Sequence, residues 1–118
     1  METTLTIPKP YLFIINQLFE MELKIMKLHE TNSIHRNIDK LKDYFESEAF
    51  ANGQGLIFHN PLGESYTVTR TDCEATITGT NHENLEIIEV FKPIIYFKQN
   101  NTNIVVQKAI VIVQSTNK

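Results

Sequence analysis

The stretch "DYFESEAFANGQGLIFH", Asp43 to His59, holds the change on which the fold turns. Up to its middle, apolar residues recur at intervals of three and four; past it they recur at intervals of two. The loop "ANGQG", Ala51 to Gly55, carries two glycines and separates the two periods. The chain therefore divides into a helical part, residues 1–50, and a β part, residues 51–118, and the fold class is α+β.

Upstream, Tyr11, Ile14, Leu18, Met21, Ile25 and Leu28 form one seam, and Ile34, Ile38, Leu41 and Phe45 a second. Pro10 suits a first helical turn, where the missing N–H costs nothing. Glu20 and Lys24 form an i,i+4 pair in the favourable order. Between Leu28 and Ile34 the seam slips by one residue. Thr31, Asn32 and Ser33, all good N-caps, lie in that slip. A break into a helical hairpin is expected there, with one continuous helix as the alternative.

The first helix is apolar on more than one stripe, since Leu12, Phe13, Ile15, Phe19, Leu23 and Met26 lie off its seam. A small domain has little to bury such a helix against. A homodimer of coiled-coil type is therefore expected, with Leu18, Met21, Ile25 and Leu28 at its interface; the alternative is that the helix is buried against its own β domain.

Downstream, about six short antiparallel strands are expected: Leu56 to His59, Ser65 to Arg70, Glu74 to Thr78, Leu85 to Phe91, Ile94 to Lys98 and Ile104 to Gln114. "NPLGE" and "GTNHEN" are turns by composition. Pro93 marks a bend, bulge or edge, because it cannot donate to a ladder. "KQNNTN", Lys98 to Asn103, is a hairpin tip. In the last strand both faces are apolar from Ala109 to Val113, which predicts burial on both sides. At Gln107 and Lys108 both faces turn polar together, as in a strand reaching a rim.

The chain has 118 residues, 42% of them hydrophobic, and a net charge of −3. That charge argues against non-specific nucleic-acid binding, which needs a basic surface. "YLFIINQLF" is too short for a membrane span or a signal sequence. A single cysteine excludes an intrachain disulfide and fits a reducing, cytoplasmic setting.

Chemistry-bearing patterns are sparse. Cys73 lies between Asp72 and Glu74, whose charges oppose formation of a thiolate. His29, His35, His59 and His82 lack zinc-site spacing. Asp39, Asp43, Glu46 and Glu48 fit a solvated helical face. The glycines form no phosphate loop. A non-enzymatic protein without cofactor or metal is expected, its function residing in surface shape. The competing expectation is a small self-associating structural or interaction protein of phage or mobile-element type.

The segments "DCEATI", "NLEIIEVFKPIIY" and "NIVVQKAIVIV" resemble the C-terminal β domain of GrpE-type nucleotide exchange factors. Glu74 and Ala75 match a His-Glu-Ala step, Ile87 to Val90 an apolar strand, and Tyr96 a Gly-Tyr step. Ala109, Val111 and Val113 match a closing R-x-A-x-V-x-V strand. Cys73 stands at the family's His, Ile95 at its Gly, and Gln107-Lys108 at its Arg and neighbour. The resemblance covers about Arg70 to Gln114 and implies a co-chaperone that opens a DnaK-like ATPase domain by favouring its open state. The residues it points to for partner binding are Arg70, Glu74, Lys98, Asn100, Asn101, Asn103, Gln107 and Lys108.

Overall fold

The structure, a computed structural model, describes residues 7–28 and 33–117. It is α+β: helices α1 (Lys9–Met26) and α2 (Ile34–Ser47), then strands β1 (Gly55–His59), β2 (Ser65–Tyr66), β3 (Cys73–Thr78), β4 (Leu85–Lys92), β5 (Ile94–Gln99), β6 (Thr102–Gln107) and β7 (Ala109–Ser115). No helix among the described residues is long and apolar enough to cross a membrane.

The helical half is two helices, as the slip in the seam predicts. Pro10 sits at the start of α1, and Ser33 precedes α2 at the N-cap position without a side-chain capping bond. The proposed caps Thr31 and Asn32 lie outside the described residues, as does His29. The loop after α2 turns on consecutive left-handed residues, Asn52 at φ 62° and Gly53 at φ 73°.

The strands form two sheets, ordered β1-β5-β6 and β2-β4-β7-β3. β4 is antiparallel to both β2 and β7, but β3 and β7 run parallel, from Cys73 opposite Ala109 to Thr78 opposite Gln114. Parallel neighbours need a long connection, and here it is the intervening chain through β4, β5 and β6. The β4–β7 ladder is antiparallel and shifts register between Ile87 and Glu89 and again between Val90 and Lys92. Such irregularities bend a strand and sharpen its twist.

The expected strand Ser65 to Arg70 is only two residues long. Its remainder turns back, with the Arg70 amide donating to the Thr67 carbonyl (3.0 Å). The expected strand Ile104 to Gln114 is two strands in different sheets, parted at Lys108. Pro93 parts β4 from β5 in the same way. The Gln107 side chain donates to the Pro93 carbonyl (3.0 Å), tying one change of sheet to the other. Burial on both sides of Ala109 to Val113 is not found either. Ala109, Val111 and Val113 are at most 1% exposed, while Ile110, on the opposite face, is 38% exposed.

The described residues fall into two compact units: residues 7–58 with 95–106, and residues 59–94 with 107–117. Neither follows the division at residue 50 that the change of period suggests, because β1, β5 and β6 share a unit with the helices. In the first unit, Ile15, Leu18, Phe45, Leu56, Ile95 and Phe97 form a core with Ile7. The Phe50 ring joins it, 5.3 Å from Tyr11 and 5.8 Å from Phe97 between centroids. In the second unit, Leu85, Ile87, Ile94, Val111 and Val113 are buried.

Candidate functional site

The residues expected to bind a partner divide between the two units. In the first, Lys98 lies on β5, Asn100 and Asn101 form the two-residue tip between β5 and β6, and Asn103 follows on β6. The three asparagines are exposed, and Asn100 takes a left-handed φ of 56° that asparagine tolerates well. In the second unit lie Arg70, Glu74, Gln107 and Lys108. Glu74 and Lys108 are exposed, whereas Gln107 is half-buried and bonded to Pro93.

Arg70 is not a free basic contact. Its Nε donates to Asp72 Oδ1 (2.6 Å), its Nη2 to Glu64 Oε1 (2.7 Å), and its Nη1 to the Ser65 carbonyl (3.0 Å). The other Glu64 oxygen meets His59 Nε2. His59, Glu64, Arg70 and Asp72 thus make one chain of charges that pins the segment between β1 and β3. Arg70 is raised by its bond to Asp72, against burial, and further by Glu64. Burial would raise Glu64, but its bonds from Arg70 and His59 prevail and hold it below the usual carboxylate range. In Asp72 burial also opposes ionisation, and Arg70 again prevails.

The sign of the resulting pH dependence follows directly. Both carboxyls bind a proton more weakly in the folded chain than in the unfolded one. Their stabilisation is complete above the unfolded-state values, about pH 4, and is lost as pH falls through the lower folded values. Arg70→Met is expected to cost about 1–2 kcal/mol at neutral pH, a figure reduced for the water that reaches Glu64. Urea unfolding at pH 7 and at pH 3 checks this, since the gap between wild type and variant should narrow in acid.

Cys73 adjoins this cluster. Burial pushes its thiol up to about 11, with Asp72 adding to the rise and Arg70 opposing it. Such burial favours the protonated thiol, the form that reacts poorly as a nucleophile. Among the described residues no group of three or more His, Cys, Asp or Glu side chains is placed to hold a metal.

The four residues expected at a dimer interface fare differently from one another. Leu18 and Ile25 are buried by their own chain, Leu18 within the core beside Phe45, and are unavailable to a partner. Met21 and Leu28 are exposed. The buried face of α1 is turned from the expected seam toward Ile15 and Phe19, because Phe19 meets Phe58 of β1 edge-on (6.1 Å). That rotation leaves Ile14 (40% exposed) and Met21 (41%) outside, seven residues apart on α1, and Leu28 (57%) is exposed just past the end of the helix. On α2, Ile38 and Phe45 are buried, while Ile34 (51%) and Leu41 (43%) are exposed. The helices are joined by a salt bridge from Lys42 to Glu22 (3.0 Å). Lys42, over the Phe58 ring, marks the side of α2 toward β1, and the exposed residues Ile14 and Met21 on α1 and Ile34 and Leu41 on α2 lie about a quarter-turn away from Glu22 and Lys42 on their helices.

A cleft of about 280 Å³ in the same unit is lined by Ile15 of α1, Lys42, Asp43 and Glu46 of α2, and Leu56, Ile57 and Phe58 of β1. In the sequence Asp43 and Glu46 read as a solvated face. The signal that places them at a cleft is Gly55, whose missing side chain lets β1 meet the end of α2. A Cβ there would overlap the Glu46 carbonyl and lie 2.8 Å from its Cα. Comparison with family models, with curated proteins and with solved structures gave no match to this chain.

Proposed function

We propose that this chain is a self-associating protein-interaction module that acts by surface recognition. The observation that carries the reading is the set of large apolar side chains left exposed on the helical hairpin, Ile14 and Met21 on α1, Ile34 and Leu41 on α2, and Leu28 just past the end of α1. The same set on a second copy is the occupant that suits it. Two hairpins packed through these side chains make a four-helix arrangement, and a two-fold pairing presents each set with an equally apolar one. Covering a half-exposed side chain of this size is worth about 1 kcal/mol. Ten such residues in a pair give about 10 kcal/mol gross, which the lost freedom of two chains largely offsets. A reversible dimer with Kd of about 1–100 micromolar is the expected result.

Sedimentation across a concentration series tests this. The wild-type chain should pass from monomer to dimer, and Met21→Glu combined with Leu41→Glu should stay monomeric with its circular dichroism unchanged. A wild-type chain that stays monomeric at several hundred micromolar removes the proposal.

A second reading, that of a co-chaperone acting on a DnaK-type ATPase, is supported by the exposed β5–β6 hairpin with Asn100, Asn101 and Asn103. The engagement of Arg70 by Asp72 and Glu64 weighs against it. Unchanged ADP release from such an ATPase at micromolar concentrations of this chain would eliminate that reading.

A further inference from the structure

β1 is an outer strand of its sheet, with β5 as its one neighbour among the described residues. A strand so placed offers alternate backbone N–H and C=O groups along its open side. The cleft beside it is lined by three consecutive residues of that strand, Leu56, Ile57 and Phe58. Successive strand residues point to opposite faces. A cavity touching all three therefore follows the edge of β1, not one of its faces. Its opposite wall is helical, made by Lys42, Asp43 and Glu46, and Ile15 lines it as well. One end is closed where Gly55 abuts the backbone of Glu46.

The charges at its lip do not balance. Lys42 Nζ is held by Glu22 (3.0 Å) and lies 5.0 Å from the centre of the Phe58 ring. Among the described residues, Asp43 and Glu46 have no ion-pair partner. Lys42 and Glu22 cancel, and the two remaining carboxylates leave the lip negative. Its accessible apolar surface comes from the half-buried Ile57 and Phe58, with Ile15 and Leu56 buried behind them.

We propose that this cleft receives an extended segment of a partner protein, rich in lysine or arginine with a large apolar residue among them, which adds as a strand to the open edge of β1. Main-chain bonds to β1 supply affinity that is indifferent to sequence. The apolar side chain packs on the accessible part of the Phe58 ring, since Ile15 and Leu56 beneath it are fully buried. Basic side chains on the helical side meet Asp43 and Glu46. An acidic segment is rejected, because its charges would face the same carboxylates with no compensating cation. The site is separate from the exposed apolar set on the hairpin, so it stands or falls independently of self-association.

The test uses the full chain, isotope-labelled for NMR, and the blocked peptide acetyl-KVKFKVK-amide as probe. Saturable shifts are expected at the amides of Leu56, Ile57 and Phe58 and in α2 around Asp43 and Glu46. The twin peptide with glutamate for each lysine should bind at least about tenfold more weakly. A version N-methylated at alternate residues on the pairing edge should not bind. Asp43→Asn with Glu46→Gln should weaken the basic peptide about tenfold and leave the amide spectrum dispersed. Should that variant fail to fold, the twin-peptide comparison on the wild-type chain decides alone. Equal binding of both peptides, shifts confined to other surfaces, or no binding at about 1 millimolar peptide would overturn the proposal.

Discussion

Gly55→Ala is expected to destabilise the fold by about 3 kcal/mol or more, enough to unfold much of the protein at ordinary temperatures. The added methyl has no free space, since it would overlap the Glu46 carbonyl and crowd the Glu46 Cα. Both obstacles are backbone, so no rotamer change relieves the clash. Either β1 withdraws from α2 or the last turn of α2 unwinds. Each uncovers core, because Leu56 follows directly on the strand and Phe45 directly precedes Glu46 on the helix, both of them buried. Urea unfolding checks the magnitude. Gly53→Ala serves as a control, because a Cβ there meets nothing within 4 Å and only its left-handed backbone is strained.

Leu18→Ala should cost about 2–5 kcal/mol at every protein concentration. Leu18 is 1% exposed and packed in a core made by its own chain, so its truncation leaves a cavity that no partner can fill. Met21→Ala, one turn further along α1, should alter monomer stability little and lower the self-association constant. Measuring both variants by urea unfolding at low and high protein concentration separates the two roles. A concentration-dependent loss in Leu18→Ala would return that residue to an interface.

The contrast between Leu18 and Met21 shows what the sequence could and could not carry. A spacing of three and four identifies a helix and its apolar girth, and both helices stand close to where the pattern places them. It does not identify which stripe faces inward when the girth exceeds one face. Phe19 and Ile15 won that competition because Phe58 and Leu56, far off in sequence, offered them partners. The strands were legible for the same local reasons, alternation and turn residues. The parallel pairing of β3 with β7 was not, since strand neighbours are set by contacts across 36 residues. Of the sites, the exposed asparagine tip was legible from composition alone. Arg70 read as a candidate contact because its carboxylate partners gave no sign of converging until the turn between β2 and β3 brought them together.

The chain moves between its two compact units at residues 58–59, 94–95 and 106–107, so neither unit is a continuous segment. The helical unit needs β5 and β6, Ile94–Gln99 and Thr102–Gln107. The other needs β7, which comes later still. On a ribosome, then, neither core can close before its late strands β6 and β7 have emerged, and the β3–β7 pair must close across 36 residues, a feature that slows folding. The uncharged, β-prone run "TNIVVQ" is an outer strand of its sheet with β5 on one side, and Ile104 and Val105 are exposed on it. It is the first segment to watch for aggregation when the chain is truncated before β7.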